Sequence, residues 1–247
     1  MGGSILSLTG QPPSEFRIGD IFGRAFEVLF QHFGVFVVIT GCAMLPSALL
    51  NYAIITDPTR APLYLGLVVV LQNFLTALCE AMVLHGAFQH LRGLPVTAGE
   101  TVSRGMARFV PVVVTSFLVT LITTAGLFCC VVPGVIAMAT LVAALPACVV
   151  ERLGPIKSIS RSYHLTEGSR GQIFLAFLMF GLVTMVVSVV VQGMFSRLGS
   201  TVAYVISTYA WGTLQTSYLA VLVAIVYHDL RVVNEGLDVE QIAALFD

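Results

Sequence analysis

The sequence predicts an all-α membrane protein: six transmembrane helices in three hairpins, each hairpin preceded by an amphipathic helix at the cytoplasmic interface. Three observations predict it. The 42 residues from Phe109 to Val150 contain no Asp, Glu, Lys, Arg or His. One helix of that length would rise about 63 Å, roughly twice the hydrocarbon thickness, so the stretch must fold back on itself, most plausibly at Val132-Pro133-Gly134. The composition is 57% hydrophobic and only 10% charged, with a mean hydropathy of +0.94, which excludes a globular cytosolic domain. Finally, ten of the 12 basic residues fall on one side of the six apolar stretches, a positive-inside bias that places both termini in the cytoplasm.

The elements follow in chain order. Residues 1–15 lack a basic n-region and a small-residue cleavage site, and Gln11-Pro12-Pro13-Ser14 breaks any helix. A short disordered tail without a cleavable signal peptide is expected there. Between Asp20 and Phe33, Ile21/Phe22, Ala25/Phe26, Leu29/Phe30 and Phe33 recur at helical spacing, with Asp20, Arg24, Glu27 and Gln31 opposite. This is an amphipathic helix suited to the interface. It leads into a single membrane domain over residues 16–228, with spans at about 33–56, 61–89, 109–128, 133–150, 171–196 and 198–227. Residues 229–247 form a short cytoplasmic segment.

A second interfacial helix runs from Thr97 to Phe109. The box Thr97-Ala-Gly-Glu100 opens it, and Val102, Met106 and Phe109 oppose Arg104 and Arg108. A third starts at Pro155, a residue at home in a first helical turn, and sets Ile156, Ile159 and Tyr163 against Ser160, Arg161 and His164. Aligned on Arg24, Arg104 and Arg161, the three helices suggest a diverged three-fold repeat, although the spacings of 80 and 57 residues are unequal.

Three groups of residues bear on function. The first is basic: Arg24, Arg104, Arg108, Lys157, Arg161 and Arg170 would stand at lipid-phosphate depth, where each cation contributes about 1 kcal/mol near an anionic leaflet. Simple topological anchoring explains the same residues, and specific head-group binding is the sharper reading. The second is a polar stripe on span two: Asn73, Thr76 and Glu80 fall within about 60° of one another on a helix. Glu80 is the one acidic residue interior to a span. A proton-coupled transporter would need such a carboxylate, but Glu80 sits within a few turns of the cytoplasmic end, where an arginine can satisfy it, and packing is the preferred reading. The third comprises Ser116, Thr120 and Thr123/Thr124 of span three and Thr208, Trp211, Gln215 and Tyr218 of span six, expected to bond between helices. Ala139, Ala143 and Ala147 form a small-residue ridge for close packing.

Cysteine and histidine chemistry is sparse. The five cysteines lack CxxC or Cys/His pairing, so neither a disulfide framework nor a zinc site is expected, and apolar roles suit even Cys129-Cys130. His85 and Gln89 stand four residues apart, but two ligands without a third point to hydrogen bonding rather than a metal. No cofactor is expected. A single lysine and a net charge of −1 leave no basic surface for nucleic acid.

Gly19-Asp20-Ile21-Phe22-Gly23-Arg24-Ala25-Phe26, Glu151-Arg-Leu-Gly154-Pro155-Ile-Lys-Ser-Ile-Ser-Arg161-Ser162 with Leu165-Thr166-Glu167-Gly168, and Tyr227-His-Asp229-Leu230-Arg231 with Glu235-Gly236 together resemble a bacterial family. It is the glycerophosphoryl diester phosphodiesterase membrane-domain family, related to YciC-like six-span inner-membrane proteins. The resemblance runs from about Arg17 to Phe246 and implies the bacterial inner membrane. In fusion members the catalytic barrel is a separate soluble domain with its own His and carboxylate metal ligands. Only twenty residues follow Tyr227 here, so hydrolysis is not implied. The expected function is therefore non-enzymatic: a membrane-organising or lipid-interacting protein, or an accessory subunit of a membrane complex. Membrane lipids are the expected partners, alongside a membrane complex or self-association. A small-solute or proton-coupled transporter or channel using Glu80 and the polar stripes is the alternative, and an intramembrane enzyme is a weaker third.

Overall fold

The computed structural model describes residues 18–57, 61–91 and 93–235. The tail expected over 1–15, residues 236–247 of the expected C-terminal segment, and Arg17, Arg60 and Arg92 lie outside the described residues. The described residues form ten helices and no strand: α1 (Ile18–Gln31), α2 (Phe33–Thr56), α3 (Ala61–Leu91), α4 (Ala98–Ala107), α5 (Phe109–Cys129), α6 (Val131–Leu141), α7 (Ala144–Val150), α8 (Pro155–Leu165), α9 (Arg170–Ser196) and α10 (Thr201–Glu235). Six stretches are long and apolar enough to cross a membrane: α2, Gly66–Leu91 of α3, α5, α6 with α7, α9 and α10. Their lipid-compatible surface is broad, with Leu49, Val70, Phe117, Val183 and Ile206 all exposed. A protein in water has no stabilising way to present such a surface; hydrocarbon accepts it.

The order of one short helix followed by a hairpin recurs three times, but the short helices dock differently. α1 lies along α10, α4 on α3, and α8 against α5, α6 and α7. The recurrence is therefore one of element order. We call the end of the bundle holding these helices the basic face, since Arg24, Arg104, Arg108, Lys157, Arg161 and Arg170 gather there.

Packing is tight toward the basic face and sparse toward the other. α10 runs through the centre, and every residue from Ala220 to Tyr227 is buried. Around it pack Ile21, Ala25 and Leu29 of α1, Phe36 of α2 and Val83 of α3. The alanines Ala139, Ala143 and Ala147 all lie buried in this cluster, which is the close approach their spacing predicts. α4 also needs a residue without a side chain: a Cβ on Gly105 would come within 2.5 Å of Met82 Cγ and 2.9 Å of its Cα. Glycine allows the two helix backbones to touch.

Two sequence expectations are corrected. The α5–α6 turn falls at Cys130, whose backbone is extended, and α6 already begins at Val131. Pro133 therefore stands in the first turn of a helix, where its missing N–H has no bond to lose. Gly134 serves the hairpin's closure rather than its turn, since a Cβ there would lie 2.7 Å from Leu127 N.

The fourth span is also broken, at Val142 and Ala143. Pro146 has no N–H to offer the carbonyl of Val142, so the ladder cannot run through. Ser162 of α8 bridges the gap: its hydroxyl donates to Thr140 O at 2.6 Å and accepts from Ala143 N at 3.1 Å. This is how a discontinuous span satisfies its backbone, with the irregular segment held by protein rather than exposed to lipid.

The structure also sets the facing of α4 and α8, which the sequence left open. Their apolar residues Val102, Met106, Ile156 and Tyr163 face outward, while Thr101, Gly105, Ser158 and Ser162 face the bundle. The physical reason is the solvent. In an interface the outside of a helix is apolar, and small polar residues that let backbones approach belong inside. α1 is apolar on both sides, with Ile21, Ala25 and Val28 inward and Phe26 and Phe30 outward, a ladder that Phe33 at the start of α2 continues, ring centroids 4.4 and 5.9 Å apart.

Candidate intramembrane ligand site

The two polar stripes of spans two and three meet. Asn73, Thr76 and Glu80 of α3 and Ser116, Thr120 and Thr123 of α5 line one side of a cavity of about 590 Å³, a size that suits a small-molecule site. Phe174, Phe177, Leu178 and Met185 of α9 form much of the apolar side, and Val142 at the break in span four closes part of the wall. α9 packs along α10 and α6 and has no extended packing against α3 or α5 among the described residues. The cavity is thus a wedge between α9 and the packed pair of α3 and α5.

Helical rise sets the depth. Glu80 stands about 16 Å along α3 from Leu91, and Thr120 about 16 Å along α5 from Phe109. The two therefore face the cavity at a similar level. Glu80 is half-buried and makes no hydrogen bond or ion pair with any described residue. Of the two partners the sequence offered, an arginine or the interface, no arginine pairs with it among the described residues. Asn73 Nδ2 donates to Val69 O at 2.8 Å and the Thr123 hydroxyl to Val119 O at 2.6 Å. The Thr123 hydroxyl thus spends its one donor on its own helix, while Asn73 commits one of its two N–H groups and keeps its carbonyl oxygen as an acceptor. The interhelical bonds expected of span three are therefore absent at Thr123.

Span six behaves closer to expectation. Trp211 Nε1 donates to Ser188 Oγ of α9 at 2.7 Å, and Tyr218 OH to Phe22 O of α1 at 3.2 Å. Thr208 instead bonds Tyr204 O of its own helix at 2.9 Å, and Gln215 is half-buried on α10, outside the cavity wall.

At the basic face the arginines are largely engaged by the protein itself. Arg161 Nε donates to both oxygens of Glu151, at 3.0 and 2.9 Å, and its terminal nitrogen pairs with Glu235. Tyr227 OH donates to the same Glu151 at 2.5 Å, and Arg231 Nε to Glu235 at 3.0 Å. Burial works against the Arg161 charge, but Glu151 and Glu235 outweigh it and hold the guanidinium further into its protonated range. Arg24 pairs with Asp229. Arg170 donates to Tyr163 O at 3.3 Å and lies 4.4 Å over the Tyr163 ring. Arg104 sits 3.7 Å from Glu100. Lys157 is exposed and Arg108 half-buried, without an ion pair among the described residues.

Sequence reasoning did not single out Glu151, Tyr227, Asp229, Arg231 and Glu235 as a site. The signal was present: Tyr227, Arg231 and Glu235 are four residues apart on one helix face, inside the motifs that carry the family resemblance. Among the described residues no three His, Cys, Asp or Glu side chains cluster to hold a metal ion. The chain matches no family model, no curated protein and no solved structure.

Proposed function

We propose that this chain is a non-enzymatic integral protein of the bacterial inner membrane, with both termini cytoplasmic, that binds a membrane lipid within its helical bundle. The observation that carries the proposal is the cavity, which sets polar groups of α3 and α5 against an apolar wall of α9. A lipid is the one abundant bilayer component with both kinds of surface. The outward-facing Phe26, Phe30 and Phe33 and the exposed cation of Lys157 suit the adjacent interface. Membership of the glycerophosphoryl diester phosphodiesterase membrane-domain family remains part of this proposal, as does association with a membrane complex or with a second copy.

The test is lipid retention. The protein purified in mild detergent should carry lipid in native mass spectrometry. Gly181→Phe should shed it, because Gly181 lines the cavity and a Cβ there meets nothing within 4 Å. Equal retention by the folded variant would refute the proposal. Orientation is tested separately in a cysteine-free background: an impermeant thiol reagent on intact cells should label Ser200→Cys and spare Lys157→Cys, both positions being exposed. The transporter reading gains from one observation, the unpaired Glu80 in the cavity. It requires a flux into liposomes that Glu80→Gln abolishes.

A further inference from the structure

We infer that the cavity selects an amphiphile whose head donates hydrogen bonds and bears no negative charge, with Glu80 as its central acceptor. The inference rests on the lipid-binding reading and specifies the ligand's chemistry. Among the described residues no Lys, Arg or His lines the cavity, and the one ionisable group in its lining is a carboxyl. Acceptors outnumber committed donors in the lining: the Glu80 carboxyl adds two oxygens, Thr123 has given its one donor to Val119 O, and Asn73 has given one of its two to Val69 O. Ser116 and Thr120 add hydroxyls that turn either way.

A phosphate head would therefore meet a carboxyl and no cation among the described lining residues, in a medium where an uncompensated charge is costly. A hydroxyl or ammonium head meets the opposite. It supplies the donor that Glu80 lacks among the described residues, and buried polar groups are stabilised by completing such bonds. The tail has a matching exit. The apolar residues from Phe174 to Met185 on α9 extend about 16 Å along that helix, and α9 has no extended packing against α5 among the described residues. A chain whose head sits at Glu80 and Thr120 can pass between these helices into the bilayer. Two sources fit this head chemistry, a hydroxyl-bearing glyceride and a long-chain amine.

Three probes sharing one oleoyl chain separate the possibilities: monooleoylglycerol, oleylamine and oleoyl lysophosphatidylglycerol. Each is titrated onto the detergent-purified full chain, and occupancy is read by native mass spectrometry. One or both donor probes should bind at least about tenfold tighter than the anionic probe, the difference expected from one charge-assisted hydrogen bond. Glu80→Gln should erase that preference, and the donor probe that loses more affinity identifies the source. Thr120→Val gives an independent arm should Glu80→Gln fold poorly, with an expected loss of about fivefold for the preferred probe. Equal or tighter binding of the anionic probe, or a preference that survives both variants, overturns the inference. Probe binding that Gly181→Phe leaves unchanged instead removes the cavity as the lipid site. In that case the lipid-binding reading falls as well.

Discussion

Replacing Glu151 with Ala tests whether the charge cluster holds the basic end of the bundle together. The carboxylate receives Arg161 Nε through both oxygens and Tyr227 OH at 2.5 Å, with Arg231 Nε a further 3.8 Å away. Tyr227 is fully buried, so its hydroxyl finds no water in exchange. Removing one partner of a buried ion pair costs about 3–5 kcal/mol, because the remaining charge stays desolvated. Here Arg161 keeps Glu235, and the Arg161 and Glu151 side chains retain 27% and 16% of their exposure. Both facts trim the loss, and about 3 kcal/mol is expected. Glu151→Gln keeps an acceptor but not the charge and should cost about 1–2 kcal/mol. Tyr227→Phe deletes one hydrogen bond and should cost about 1 kcal/mol. Reversible unfolding in mixed micelles of increasing denaturing detergent, followed by circular dichroism, measures all three. A Glu151→Ala loss below about 0.5 kcal/mol would refute the reasoning, since nothing buried tolerates so large a deletion at that cost. So would a Glu151/Arg161 double-mutant cycle without coupling.

Further outcomes follow from particular contacts. Ser162→Ala should lower stability by about 1–3 kcal/mol in the same assay, because Ala143 N is left buried without its acceptor. Gly105→Ala should lower it by about 1–3 kcal/mol, since the added Cβ meets the backbone of Met82 at 2.9 Å and α4 must shift. His32 lies 3.0 Å from His90 through their ring nitrogens, and burial first, then His90, lowers its pKa below the ordinary 6.5. The unfolded chain then binds the proton more readily than the folded one, so stability from this group is complete above about pH 6.5 and is lost as pH falls toward the lowered value. His32→Gln should flatten stability between pH 7 and 5; an unchanged slope would remove His32 as its source.

The spans were legible because lipid imposes a crude rule: long uncharged runs must be helices, and their lengths count the crossings. Finer features followed other rules. The turn at Cys130 was misplaced because Pro-Gly usually reads as a turn, whereas Pro133 fits a first helical turn and Gly134 a close backbone approach. The break at Val142 was implied by Pro146, but its repair by Ser162 joins residues twenty positions apart, which no local pattern reveals. Amphipathic periodicity located α4 and α8 yet not their facing, since in an interface an apolar stripe is satisfied by lipid as readily as by protein. Asn73, Thr76 and Glu80 were recognised as one stripe, and Ser116, Thr120 and Thr123 as another. Their convergence on a cavity depends on how α9 packs. Arg24 and Arg161 were open to reading as topological anchors or lipid ligands, because sequence shows a cation but not the carboxylate 205 or 74 residues away that pairs with it.

The cavity and the charge cluster share the same short helices, and that sharing has a directional consequence. Glu151 follows α7 and grips Arg161 on α8. The next residue, Ser162, clips the break in span four, and Leu141, Val142 and Leu145 around the break line the cavity. A continuous set of bonded neighbours thus runs from the cluster to the cavity wall. Loosening the cluster releases α8, and with it the wall. Altering the cavity does not reach back the same way, because Glu80 makes no bond to the cluster. Glu151→Gln should therefore lower both stability and lipid retention, while Glu80→Gln should lower retention and leave lipid-free stability within about 0.5 kcal/mol of the parent. Bound lipid must in turn stabilise the fold, and at a hundredfold excess over Kd that gain is about 2.7 kcal/mol. A Glu151→Gln protein that keeps its lipid, or a Glu80→Gln protein that loses lipid-free stability as heavily as Glu151→Ala, would show that the two regions are not joined through α8.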